Sequence, residues 1–171
     1  MALSDKKALM VVPPSDFQDE EYERPRRILE SRGIRVTVAS NRLGEARGAR
    51  GAVARIDALM SDVKYYDYDA IIFVGGEGAR KFFDDEKATK LAKDAEYKIL
   101  GAIGEAVGVL AHAGVLKGKT ATSDRSVAGL LEEKQARFIG QPLAVDGKIV
   151  TADGPKIAEQ FGNALLEQLR K

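Results

Sequence analysis

Short apolar runs alternate with longer amphipathic stretches along this chain. Ala8–Val12 (ALMVV), Ile34–Ala39 (IRVTVA), Asp69–Val74 (DAIIFV), Tyr97–Ile103 and Ile149–Ala152 carry the signature of buried strands. A short strand is also expected at Lys119–Ser123. Between them the spacing of apolar residues predicts helices over Glu20–Ser31, Lys81–Ala95, Glu105–Ala113, Val127–Lys134 and Ile157–Arg170. Tyr22, Pro25, Ile28 and Leu29 form the inward face of the first helix, and Gly33 ends it. Pro25 within it predicts a kink or a late start. Ser15 or Asp16 is its expected cap, with Asp16, Asp19, Glu20 and Glu21 favouring a helix N-terminus. Phe82, Phe83, Leu91, Ala92 and Ala95 face the core from the second helix. Ser40–Lys64 is the least regular stretch, with a short hairpin expected around Val53–Ala58. Asp146-Gly147 between apolar runs is a hairpin turn signal. Strand–helix alternation of this kind calls for a mainly parallel sheet with helices on both faces.

Composition narrows the chemistry. At 171 residues the chain is the size of one domain and needs no staples to bury a core. Twenty-seven Lys and Arg against 26 Asp and Glu leave a net charge of +1. That balance argues against a general nucleic-acid or membrane-surface binder. With no cysteine, disulfides, thiolate metal sites and cysteine nucleophiles are excluded. The lone histidine, His112, excludes multi-histidine metal sites. Metal binding through carboxylates has no supporting spacing, and no cofactor is expected. The run at Ala8–Val12 meets Pro13 too soon for a signal sequence or a spanning helix, so a soluble, cytoplasmic protein is expected.

In parallel sheets, ligands bind beyond the carboxyl ends of strands. That directs attention to the junctions after Val12, Val74 and Ile103. Gly75-Gly76 after a buried strand can turn sharply and present bare amides to an anion, or serve only as a tight turn. At Ile103-Gly104-Glu105-Ala106 a strand passes into a helix within a residue or two, the geometry that holds a nucleophile in hydrolase folds. Here the turn residue is Gly104, which has no side chain. Asp16, Asp19, Glu20 and Glu23 read as solvated helix-start carboxylates. A phosphate loop of the G-x-x-x-x-G-K-[ST] kind is absent, and Gly75-Gly76-Glu77-Gly78 lacks dinucleotide-binding spacing.

Taken together, the first strand, F-x-D-x-E-x-x-x-P at Phe17–Pro25 and G-I-x-V-T-V-A-S at Gly33–Ser40 resemble the ThiJ/PfpI superfamily. So do Tyr68–Gly76, L-A-H-A-G-V-L-K-G-K-x-A-T at Leu110–Thr122, Asp146–Pro155 and the last helix. The resemblance spans nearly the whole chain. It implies a flavodoxin-like three-layer α/β sandwich, a homodimer or larger oligomer, and a site at the strand–helix elbow. Active members of that superfamily carry an elbow cysteine, typically within A-I-C-x-x-P; here the segment reads Ala102-Ile103-Gly104-Glu105-Ala106-Val107. The family glutamate that hydrogen-bonds the cysteine maps onto Glu21, and the oxyanion amides onto Gly76 and Glu105. Gly75 and Ala106 flank them, and a position that often supplies His or Tyr maps onto Asp124.

Two functions follow as expectations. One is a catalytically degenerate member with a binding, regulatory or chaperone-like role, its pocket deepened at Gly104. The other is a cysteine-independent enzyme in which Glu21 and Glu105 face one pocket as general acid and base. A small molecule or carbonyl metabolite is the expected ligand. His112, two turns beyond the elbow, is expected to be structural or at the surface.

Overall fold

A computed structural model describes residues 2–171. In chain order the regular elements are β1 (Lys7–Val11), β2 (Ser15–Phe17), α1 (Asp19–Ser31), β3 (Arg35–Ser40), β4 (Gly44–Gly48), β5 (Val53–Ile56), β6 (Ala58–Leu59) and β7 (Ala70–Phe73). They continue with α2 (Glu86–Asp94), β8 (Ile99–Ile103), α3 (Val107–His112), β9 (Thr120–Ala121), α4 (Ala128–Glu133), β10 (Arg137–Phe138), β11 (Leu143–Asp146), β12 (Ile149–Ala152) and α5 (Ala158–Arg170). The main sheet has seven strands in the order β11-β12-β8-β7-β1-β3-β6. Only β11 runs antiparallel; it forms the expected hairpin with β12, pairing Asp146 with Ile149.

The central strands are apolar throughout because both faces of the sheet are covered. Successive residues alternate between two cores. Leu9, Val11, Ile71, Phe73, Leu100 and Ala102 pack with residues of α2, α3 and α4. Ala8, Met10, Ala70, Ile72, Val74 and Ile103 pack with residues of α1 and α5. Full burial of side chains such as Phe73 and Phe161 stabilises the fold by about 1.5–3 kcal/mol each. α5 approaches the sheet closely at Gly101, where a Cβ would stand 2.9 Å from Leu165 and 3.1 Å from Phe161. This is the flavodoxin-like α/β sandwich.

Several boundaries differ from the expected ones. α1 starts at Asp19 and runs through Pro25, so the helix does not start late. Its cap is Gln18, whose side chain accepts the Glu21 N–H at 2.9 Å, and not Ser15 or Asp16. Those two belong to β2, which pairs with β4. The continuous helix expected over Lys81–Ala95 is broken. Glu77–Phe82 forms 3-10 turns, and Asp85 then caps α2 by accepting the N–H groups of Lys87 and Ala88. The elbow helix likewise begins as a 3-10 turn at Gly104–Ala106. The irregular Ser40–Lys64 stretch holds a hairpin, but not within Val53–Ala58 as expected: β4 pairs antiparallel with β5, and β6 instead joins the main sheet beside β3.

Asp19 is not a solvated carboxylate. It is 6% exposed and accepts the backbone N–H groups of Arg50 and Ala52 at 2.9 and 2.7 Å. It ties the β4–β5 turn to the start of α1, close beside Glu21. Asp16 and Glu23 are exposed, as expected.

Candidate functional site

β8, β7 and β1 are neighbours in the sheet, so the junctions after Val12, Val74 and Ile103 meet at one end of it. Gly104 sits at the end of β8 with φ +66°, in the left-handed region that glycine enters without steric cost. Its carbonyl accepts the Asp124 N–H at 3.2 Å, which holds the turn from the far side. The backbone geometry of a nucleophile elbow is therefore present without a side chain on it.

Glu21 enters from the first turn of α1 and is 2% exposed. A Cβ placed on Gly104 would lie 2.6 and 2.7 Å from its two carboxyl oxygens. One on Gly75 would lie 2.3 Å from Oε1 of the same carboxyl. All three distances are shorter than van der Waals contact. Two bare backbones thus form a slot, and the Glu21 carboxyl fills it. This corrects the expectation of a deepened pocket: the space freed at position 104 is occupied by Glu21. Gly76 serves a different purpose. With φ +101°, a Cβ there would be 2.4 Å from the Gln18 nitrogen and 2.6 Å from the Asp16 carbonyl oxygen. It lets the β7 end abut the segment leading into α1, an approach locked by the Gln18 N–H donating to the Gly75 carbonyl at 2.9 Å.

Burial makes ionisation of Glu21 costly. Its pKa is pushed up to about 8, first by loss of water and then by the negative charges of Asp124, Glu105 and Asp153. The Gly75 backbone N–H acts in the opposite direction. Oε1 has no hydrogen-bond partner among the described residues. At neutral pH this group keeps its proton, and can donate a hydrogen bond.

Glu105 is not a second free carboxyl in the same slot. Its Oε2 receives a hydrogen bond from Arg80 Nε at 2.5 Å. Arg80 Nη2 donates to Ser126 Oγ at 2.8 Å, and the Ser126 hydroxyl and N–H both donate to Asp124 Oδ1, at 2.6 and 2.9 Å. This chain of contacts straps the segment after β7 to the elbow and to the loop after β9. Asp124 therefore caps the 3-10 turn Arg125–Val127 while its backbone holds Gly104. Ala106 is 1% exposed and its side chain packs into the core, away from the slot.

Sequence reasoning did not single out Arg80, Ser126 or Asp153. Arg80 and Ser126 are brought to the elbow only by the fold. Asp153 directly follows β12, so the strand-end rule could have found it. Burial and the Asp124 charge raise its pKa too. His112 ends α3 half-buried, with its ring 5.0 Å from that of Phe83, a structural placement. No group of three or more potential metal-ligating side chains occurs among the described residues. No described helix is long and apolar enough to cross a membrane.

A flavodoxin-like sandwich with a site at a glycine elbow and a buried glutamate against it defines a class. Comparison with known proteins makes the class specific. The model of the DJ-1/PfpI family matches residues 6–168, and the chain belongs to that family. An uncharacterized protein of Methanocaldococcus jannaschii is 36% identical over 174 residues, covering 99% of this chain and 85% of that protein. Deglycase PfpI of Pyrococcus furiosus is 27% identical over 149 residues, covering 86% of this chain and 90% of its own length. Among solved structures, the ThiJ/PfpI domain protein of Brachyspira murdochii superposes with a TM-score of 0.93 at 34% identity, covering 96% of each chain.

Proposed function

We propose that this chain is a catalytically degenerate family member that binds a small carbonyl metabolite without covalent turnover, in a binding, regulatory or stress-protective role. The observation that carries this reading is Gly104: an elbow at φ +66° with no side chain, its place taken by the Glu21 carboxyl. A ligand would rest above that carboxyl. Protonated Glu21 is then a hydrogen-bond donor to a carbonyl oxygen, and the backbone N–H groups of Gly76, Glu105 and Ala106 are the further candidate donors, that of Gly75 being directed at Glu21 itself. Asp124 borders the site through its contact with Gly104. The same reading takes the chain as one cytoplasmic domain that assembles into a homodimer or larger oligomer, which light scattering tests.

A second reading rests on the raised pKa of Glu21. A carboxyl that holds its proton near neutrality suits a general acid, and a hydrolase or a glyoxalase- or hydratase-like enzyme could use it with Glu105. The ion pair of Glu105 with Arg80 weighs against a free acid–base couple. The deciding experiment measures methylglyoxal consumption, over a range of pH, by the wild-type chain and by Glu21→Gln and Glu105→Gln. Binding without consumption supports the first reading. Consumption that Glu21→Gln abolishes establishes the second.

A further inference from the structure

The opposite end of the sheet carries a separate concentration of charge. Lys6, Lys98 and Lys148 immediately precede β1, β8 and β12, and Asp69 immediately precedes β7. Because these strands are adjacent in the order β12-β8-β7-β1, the four residues form a row along the amino-terminal edge of the sheet. Strands lie about 4.8 Å apart, so the row spans roughly 14 Å. Together with Gln168 and Lys171 of the chain's last turn, these side chains line a cavity of about 570 Å³. That is a volume suited to a small metabolite.

The lining is electropositive on a chain that is nearly neutral overall. Three lysines face one aspartate, and the Asp69 carboxylate already accepts the Lys7 N–H at 2.9 Å. Lys171 adds a further ammonium to the lining. None of Lys6, Lys98 and Lys148 takes part in an ion pair among the described residues, whereas Lys90 and Lys93 on α2 are paired with Asp94 and Glu96. Lys6 and Lys98 are moreover half-buried. An ammonium partly removed from water with no counter-ion is a poor arrangement unless an anion completes it. Gln168, 8% exposed, donates to the Gly147 carbonyl at 3.1 Å and fixes the turn that carries Lys148. Next to Lys98, Tyr97 is 83% exposed and lines an adjoining groove that shares Gly147 and Lys148 with the cavity. Its ring offers a flat face for a heterocycle.

We propose that this edge cavity is a second ligand site, remote from the elbow, that takes a small phosphate-bearing metabolite, with Lys6, Lys98 and Lys148 meeting the phosphates. The phosphates can be those of a bare polyphosphate or of a nucleotide, and two probes separate these sources. Calorimetric titrations of the full chain with inorganic pyrophosphate and with ATP, at low and at high salt, test the site. The expected dissociation constants lie below about 1 mM at low salt and weaken as screening increases. The Lys6→Gln/Lys98→Gln double variant is expected to lose at least roughly tenfold for both probes, since each charge-assisted contact it removes contributes about that factor. Lys90→Gln should bind as the wild type does, which separates this site from non-specific surface attraction. Equal affinity for the two probes assigns the site to bare phosphates. Tighter ATP binding that Tyr97→Ala removes assigns it to nucleotides. No binding of either probe, or binding unchanged in the folded double variant, overturns the proposal.

Discussion

Replacing Glu21 by Gln should make the protein more stable at high pH, although a buried side chain is being altered. In the folded chain Glu21 gives up its proton at about 8, against 4.5 for a carboxyl in water. Between those values the unfolded chain has lost the proton and the folded chain retains it. The folded state therefore binds more protons, and stability falls as pH rises from about 4.5 to about 8. At about 1.4 kcal/mol per pH unit, that interval corresponds to a loss on the order of 5 kcal/mol from this one group. Glutamine is nearly isosteric with the protonated acid and does not titrate. Below pH 4 the variant and the wild type should differ by no more than about 1 kcal/mol. Above pH 8 the variant should be the more stable by several kcal/mol. Urea unfolding across this range, comparing the two proteins at each pH, reads the difference directly. Parallel stability curves would refute the assignment of Glu21 as a buried, protonated carboxyl.

The elbow and its surroundings give further tests. Gly104→Ala forces an L side chain into the left-handed region and onto the Glu21 oxygens; a loss of about 2–4 kcal/mol is expected in urea unfolding, with part recovered when Glu21 is also replaced by Ala. Gly104→Cys should set a thiol beside the Glu21 proton, and alkylation by iodoacetamide at pH 7 should be roughly tenfold faster than for free cysteine. Alkylation at or below the free-cysteine rate would place the elbow elsewhere. Asp19→Ala removes the acceptor for two backbone N–H groups and should cost about 2 kcal/mol or more, with faster hydrogen exchange confined to the turn that includes Arg50 and Ala52.

The strands were legible in the sequence because both faces of the sheet are buried. ALMVV and AIIF have no polar side chain to place, and such runs have few alternatives. β2 and β10 were not legible: with three and two residues, their pairing depends on partners distant in sequence. The break between Phe82 and Glu86 was signalled by Asp84-Asp85, a capping pair that the apolar spacing of Lys81–Ala95 overrode. At the site, Gly104 and Glu21 were found because local motifs carry them. What those motifs could not convey is that the Glu21 carboxyl fills the place of the absent side chain. Nor could they show that Glu105 is engaged by Arg80, a contact between residues 25 positions apart. Asp19 was misread because a helix-start carboxylate looks the same in sequence whether it meets water or the backbone of a returning loop.

The central claim is that the elbow binds without turning over. It is tested most directly by incubating the wild-type chain with methylglyoxal and following substrate and product together with the intact protein mass, beside Gly104→Cys. The account predicts no consumption above the buffer rate and no covalent adduct at the elbow in the wild type. Saturable consumption by the wild-type chain that disappears in Glu21→Gln would contradict it.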